Sequence, residues 1–407
     1  MSRHVFGLAV LLAVLPARAA EKEPVRVGFL TVNSGALAAG GRQMGEGLTL
    51  YLNEHGNKLA GRSIEVVTLD TAGQPATTRT RTQEAVERYK VHVIIGPLAA
   101  FEALAINDYV KQVKVPVISP SAAAEDLTQR SPNPWFVRAV GSSAQPNQPF
   151  GEYAAKTLKY KRIATIGDDF AFGHETTAGF QRAFEDSGGK VVQKQWAPLN
   201  VADYGSYVAG IKPDVDAIYA SFAGANGLRF LRQYAEYGLK VPVLGNMTTV
   251  DEGILKNMGD EALGVVSCGW YSAAIDTPAN RKFVEAFRAA HSADPGYYSA
   301  GAYTAAMFLD LALQKVHGKV EDKDAFMKAL RSLDVQDSFR GPMRIDERGN
   351  PVLTVYIRKV ERKDGRLQNT VVQTYPGVSQ FWKYDPKTFL AQPVYSRDNP
   401  KASNLEP

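Results

Sequence analysis

Cysteine is almost missing from this chain: its 407 residues include only Cys268. A lone thiol excludes an internal disulfide even in an oxidising compartment. Cys268 sits in the apolar run Gly264–Trp270 and reads as an inert buried thiol. The histidines (His4, His55, His92, His174, His291, His317) are scattered, with no i,i+4 pair and no cysteine companion, which excludes the usual zinc spacings. No GxSxG elbow, P-loop or complete GxGxxG occurs. The best acid pair is Asp168-Asp169, but neighbours on a turn point apart, so helix capping or hinge contact is the expected role. Without an activated nucleophile, metal set or paired acid, an enzyme is not expected, nor any metal or cofactor.

Long apolar runs and a strong charge of either sign are also lacking. Val5–Leu15 is far short of the ~20 residues needed to span a bilayer, and no later run reaches that length. With Arg3 and His4 ahead of it and Ala17-Arg18-Ala19 behind, it reads as an export signal cleaved near Ala19. Cleavage lowers the Lys+Arg count from 47 to 45 against 42 acids, and the formal charge from +5 to +3. That balance implies neither nucleic acid nor an acidic membrane surface as partner. A soluble exported protein is expected. At roughly 100–200 residues per domain the rest forms two or three domains.

What is present alternates. Arg26–Leu30 reads as a strand ending in the turn Thr31–Gly35, which carries Asn33 and Ser34; a helix follows over Gln43–Glu54, then strand Ile64–Leu69 and helix Thr77–Tyr89. Val91–Ile95 and Val115–Ile118 are β-branched without polar alternation, as buried parallel strands are. They run into Gly96-Pro97-Leu98-Ala99-Ala100 and Ser119-Pro120-Ser121-Ala122-Ala123-Ala124, two small-residue turns predicted to open helices side by side at one sheet edge. Helix N–H groups there can hold an anion. After strand Trp135–Val140 and a crossing at Gly141-Ser142-Ser143 the pattern restarts. Strands Ile163–Ile166, Val191–Trp196, Ala217–Ser221 and Val241–Leu244 alternate with helices Asn147–Leu158, Glu175–Ser187, Tyr204–Ile211 and Asn226–Tyr237. Strict alternation of this kind predicts two doubly wound α/β lobes. Three helices follow (Pro278–Ala290, Ser299–His317, Lys323–Ser332), then a β-rich piece, Gly341–Glu361, and a proline- and aromatic-rich tail, Gln373–Pro393. The tail is expected to pack along a lobe rather than touch a ligand. Asn246-Met247-Thr248 matches a glycosylation sequon by coincidence.

Across from Ser119-Pro120-Ser121 the second lobe would offer Phe170, Phe172, Phe222 and Met247, with Trp270 and Tyr271 on a crossing strand. Aromatics after strands are ordinarily core; several at strand ends around one open edge suit a ligand better.

The export signal, VRVGFLTVNSG, GNKLAGRSIEVVTLD, VHVIIGPLAA, VPVISPSAAAEDLT, IGDDFAFGHETTAGF, YGLKVPVLGN and GPMRIDERGN, in that order over Val25–Glu361, resemble the type I periplasmic binding proteins of ABC importers, specifically the branched-chain amino-acid branch. The resemblance implies two Rossmann-like lobes joined by three crossover segments, closing on a ligand and delivering it to an inner-membrane ABC permease, as a monomer. It places residues 25–140 and 272–348 in one lobe, 141–271 and 349–361 in the other, with 362–407 as an extension. Hinges fall near Val140–Ser142, Cys268–Tyr271 and Arg348–Pro351. The departures set the ligand. Where the family holds an amino acid's carboxylate with a serine and a threonine hydroxyl, this chain has Ala100 and Ala123. Where an acid holds the ammonium it has Met247, and two tyrosines are replaced by Phe172 and Phe222. A pair of cysteines common in the first lobe is replaced at Gly73 and Ala99.

A buried ammonium without acceptors would lose several kcal/mol, too much for binding near ~1 μM, about −8 kcal/mol. A ligand without an ammonium is implied. Ser119, Ser121 and helix-end N–H groups facing phenyl rings suit a small aromatic or hydrophobic carboxylate, benzoate-like or phenylpropanoid. The expected lining is Asn33, Ser34, Ala99, Ala100, Phe101, Ser119, Pro120, Ser121, Ala122, Ala123, Phe170, Phe172, Phe222, Met247 and Trp270. The alternatives are a branched-chain amino acid or amide as ligand, or a sensor whose liganded form docks on a membrane receptor.

Overall fold

The computed structural model describes residues 23–406, so the expected export signal and its cleavage point lie outside the described residues. Two sheets carry the fold. The first contains β1 (Val25–Thr31), β2 (Lys58–Leu59), β3 (Arg62–Asp70), β4 (Val93–Ile95), β5 (Val117–Ser119) and β6 (Phe136–Arg138), in the order β2-β3-β1-β4-β5-β6. Every pairing is parallel except the short β2–β3 ladder. Register sets Val27 beside Val66 and Val93, and Ile95 beside Ile118. These near-continuous apolar strands are covered on both faces by helices, as parallel sheets require.

The second sheet begins with β7 (Arg162–Asp168), β8 (Lys190–Ala197), β9 (Ala217–Ser221), β10 (Val243–Gly245) and β11 (Val266–Gly269). It is completed by β12 (Asp334–Val335), β13 (Met343–Ile345), β14 (Pro351–Lys363) and β15 (Arg366–Val378). The order is β12-β13-β14-β11-β10-β9-β7-β8, with β15 beside β14. β7 to β11 pair in parallel, whereas β14 joins β11, β13 and β15 antiparallel.

Three differences from the sequence reading have local causes. The first helix begins at Ala38 rather than Gln43, because glycines that lower helix propensity there are wanted for close packing. A Cβ on Gly47 would sit 2.0 Å from the Ser299 carbonyl oxygen; the glycines let helix Tyr297–Lys315 lie against helix Ala38–Glu54. Next, the expected Thr77–Tyr89 helix is α over Pro75–Gln83 and widens to a π turn over Glu84–Arg88. Finally, β14 runs on to Lys363 and turns at Asp364-Gly365 into β15, so the expected tail opens as strand as far as Val378. The strand lacks a clean apolar alternation: Val372 is exposed, Asn369 is buried, and Pro376-Gly377 lies near its end.

Helix Tyr297–Lys315 closes the core of the first sheet: Phe308 and Leu309 are fully buried in the cluster that holds Val93, Ile94 and Ile118.

Candidate functional site

The carboxyl edges of the two sheets face each other. After β4, the chain passes Gly96–Ala99 into helix Ala100–Val113. Buried Glu102 accepts the Ala99 N–H at 2.8 Å and the Thr78 hydroxyl at 3.0 Å, which fixes the helix start while leaving first-turn N–H groups free of it. The turn after β5 differs from expectation. It leads only to a single 3-10 turn, Glu125–Leu127, so no second α-helix N-terminus exists there. Its shape is instead imposed by hydrogen bonds to its carbonyls. Arg138 donates to Ala122 and Ala124, both at 2.9 Å, and Ser143 to Ala123 at 2.9 Å. Ser119 spends its hydroxyl on the Ala122 carbonyl at 3.1 Å.

Ser121 is what remains. Its carbonyl accepts from the Tyr297 hydroxyl at 2.8 Å. The Ser121 hydroxyl itself bonds to no described residue and faces a partly open cleft of about 300 Å³ between the lobes. The first lobe supplies Leu37, Leu98, Ala99, Ala100, Ser121 and Ala123, with Tyr297 and Tyr298 from the returning helix. The second supplies Phe170, Phe172, Ala223 and Thr248. No charged side chain lines it. Phe170 and Phe172 stack with centroids 6.1 Å apart, and Phe101 meets Phe170 edge-on at 5.5 Å across the cleft. Such ring contacts contribute ~0.5–1.5 kcal/mol each.

The lobes are closed on this space. The Tyr297 N–H donates to the Asp251 carboxylate, and the Glu125 N–H reaches both oxygens of Glu175 at 3.2 and 3.3 Å. Gly224 has φ +57°, and a Cβ there would lie 2.4 Å from the Ala36 carbonyl, so only glycine admits this approach. Burial raises the pKa of Tyr297 and Tyr298, leaving both phenols neutral donors.

Of the fifteen residues expected in the lining, Ala99, Ala100, Ser121, Ala123, Phe170 and Phe172 meet there. The others do not line this cavity, each for an identifiable reason. Asn33 and Ser34 border separate surface hollows, and the Asn33 N–H is tied to Asp70 at 3.0 Å. Phe101 stands behind Phe170. Ser119, Pro120 and Ala122 are turned inward by the carbonyl bonding of their turn, with the Pro120 carbonyl against Gly301. Phe222 faces its own lobe's core, beside Tyr204 and Phe230 at 5.2 and 4.9 Å. Met247 is 1% exposed because Asn246 Oδ1 gathers the N–H groups of Thr248 and Thr249 and turns Thr248, not Met247, to the cavity. Trp270 lies one layer down, against Tyr297 at 5.0 Å. Asn246 is fully buried, so the sequon carries no glycan in the folded chain.

Asp168 does not cap the following helix. It accepts from the Ala223 N–H at 2.8 Å and the Asn226 amide at 2.6 Å, bracing the Ala223 turn, and burial pushes its carboxyl up to about 7. Asp169 turns outward to His174 and Arg397. Among the described residues no cluster of His, Cys, Asp or Glu could hold a metal, and no helix is long and apolar enough to cross a membrane.

Leu37, Leu98, Ala223, Thr248, Tyr297 and Tyr298 were missed from sequence. The signal available was Gly296-Tyr297-Tyr298, an aromatic pair at a helix start on a segment that returns to the first lobe.

Residues 24–366 match the family described as periplasmic binding protein. A relative from Brucella melitensis, Leu/Ile/Val-binding protein homolog 6, is 29% identical over 377 residues, 90% of this chain and 95% of that protein. A solute-binding protein of an ABC transporter from Rhodopseudomonas palustris BisB5, solved with 3,4-dihydroxybenzoic acid, is 34% identical over 88% of this chain and 99% of its own, with TM-score 0.84. Another from R. palustris, solved with benzoate, is 27% identical over 88% and 97%, with TM-score 0.83.

Proposed function

We propose a ligand for this chain on the premise that it belongs to the periplasmic binding protein family, with the type I fold, as the solute-binding component of an ABC transporter. Proteins of this kind hand a small molecule to a permease. The ligand we infer is a small planar aromatic carboxylate of the benzoate class. One observation carries this: the cavity joins two stacked phenyl rings to a free Ser121 hydroxyl and offers no carboxylate for an ammonium. The solved relatives that hold benzoate-type acids support the same reading. Ser121, the Ala100 helix start and the Tyr298 hydroxyl take the acid group, and Phe170 and Phe172 take the ring. Charge-assisted hydrogen bonds of ~1.5–3 kcal/mol each suffice for the anchor.

The mechanism is closure of two lobes, which we divide at residues 140/141, 271/272 and 348/349, with β12 and β13 pairing across into the second sheet, on a monomer exported by the N-terminal signal. A thermal-shift panel of benzoates, hydroxycinnamates, branched-chain amino acids and short amides tests the ligand class. Stabilisation by benzoates is expected; a large shift with leucine or valine and none with aromatic acids would sink it. Stabilisation by binding reaches ~2.7 kcal/mol when ligand is at 100 times Kd, well within the range of the assay.

A further inference from the structure

Four arginines are buried among the described residues: Arg62, Arg138, Arg340 and Arg358. Three have carboxylates. Arg62 pairs with Glu321 at 2.6 Å and Arg358 with Glu252 at 3.6 Å, and Arg138 lies in the field of Glu125 and Glu175. Arg340 is the exception. Its Nη2 donates to the Ala139 carbonyl and to Met343 Sδ, while Nε and Nη1 have no partner among the described residues. The phenols of Tyr356 and Tyr297 act on it, but no carboxylate does, and burial pulls its guanidinium down to about 9, still protonated at neutral pH. Burying a charge without an opposite one is among the least favourable arrangements a fold can hold.

Its location gives the imbalance a use. The guanidinium lies over the Trp270 ring at 4.4 Å, and that ring lies 5.0 Å from Tyr297, which lines the cavity. Ala139, which takes its hydrogen bond, is bonded in turn to Ser119 beneath the cavity turn. The cation therefore sits two ring layers, Trp270 and Tyr297, under a space that no charged side chain lines. Inside a protein, with water largely excluded, attraction reaches across such rings without contact.

We propose that Arg340 is a specificity-determining residue, the cation that makes this cleft select an anion, with the bound acid supplying the negative charge that no protein group gives it. This rests on the carboxylate reading above and adds to it. The Ser121 and helix-end donors orient an acid, whereas Arg340 discriminates by charge.

Calorimetric titration with benzoate and its neutral isostere benzamide tests it on the wild type, Arg340→Met, Arg340→Lys and Met343→Glu. Arg340→Met keeps a stem over Trp270 and removes the charge. Met343→Glu keeps the guanidinium but sets a carboxylate against it, so the test survives if Arg340→Met does not fold. Expected is about tenfold weaker benzoate binding in the Met and Glu variants, with benzamide little changed and Arg340→Lys near wild type. Equal losses for acid and amide would make Arg340 merely structural, and unchanged benzoate binding in both variants would overturn the proposal. If the wild type takes leucine instead of any aromatic acid, the aromatic reading fails separately. Leucine against leucinamide on the same variants then decides the role of Arg340.

Discussion

Glu175 and Glu125 meet across the closed cleft around a single backbone N–H. Both oxygens of Glu175 accept from Glu125 N, and Glu125 in turn accepts from Ala144 N at 2.8 Å. Burial raises both carboxyls, the charge of Glu125 raises Glu175 further, and Arg138 offsets part of this; Asp126 and Tyr395 also face the pair. The sign follows directly. A carboxyl raised in the native state binds its proton more tightly there, so its stabilisation is complete below the ordinary value of 4.5 and is lost as pH rises through the raised one. Glu175→Gln should therefore flatten the fall in Tm as pH rises above about 4.5 relative to wild type, read from melts in a buffer series. Identical slopes would refute it. At this scale the sequence was half informative. Ser121 and Phe172 could be placed because turns after parallel strands point to a shared edge. Tyr297 could not, because its placement depends on a helix returning from residues far along the chain. Nor could Arg340, because lacking a counter-charge is a property of its surroundings alone.

The elements were more legible than their ends. Strands β1 and β3 to β10 follow from apolar runs bounded by turn residues, and their alternation with helices was enough for the two-sheet plan; the two-residue β2 was not read from sequence. Glycines that serve packing blurred the first helix, and the Ser119–Ala124 turn promised a helix that its own carbonyl bonding forbids. The tail is the least legible element and the most connected. Phe381, Phe389 and Tyr395 form an edge-to-face cluster at 5.4 and 5.5 Å, over Ala144 and Ala178 of the second lobe. Arg182 stacks on Tyr384 at 3.7 Å. From the first lobe, Arg130 reaches the Gln392 and Pro393 carbonyls at 2.8 and 3.1 Å, so the tail is fastened to both sides of the crossing. Phe389 is 1% exposed at the centre of this cluster. Phe389→Ala should destabilise the protein by ~3 kcal/mol, measured by urea unfolding; a change under ~0.5 kcal/mol would show the tail to be loosely held.

As a whole the molecule is a closed clamp whose contacts across the cleft are few, specific and partly charged. Asp251 to Tyr297, Glu175 to Glu125 and Phe101 to Phe170 each join one lobe to the other near the cavity. Legibility at this scale came from order along the chain, since two doubly wound units in succession leave few ways to assemble. How tightly they close could not be read, because it rests on single contacts between distant residues. The position of the cavity has a kinetic consequence. A cleft walled by both lobes takes in a planar acid through their movement. Each capture must wait for the lobes to part, and each release must wait again. Stopped-flow traces of Trp270 fluorescence should then show an association rate that levels off with ligand concentration, at a ceiling shared by different benzoates. A rate that climbs linearly without limit would refute this. If the ceiling is shared, affinity among ligands is written almost entirely in residence time, and the permease meets a carrier that differs from one cargo to the next in how long it keeps hold.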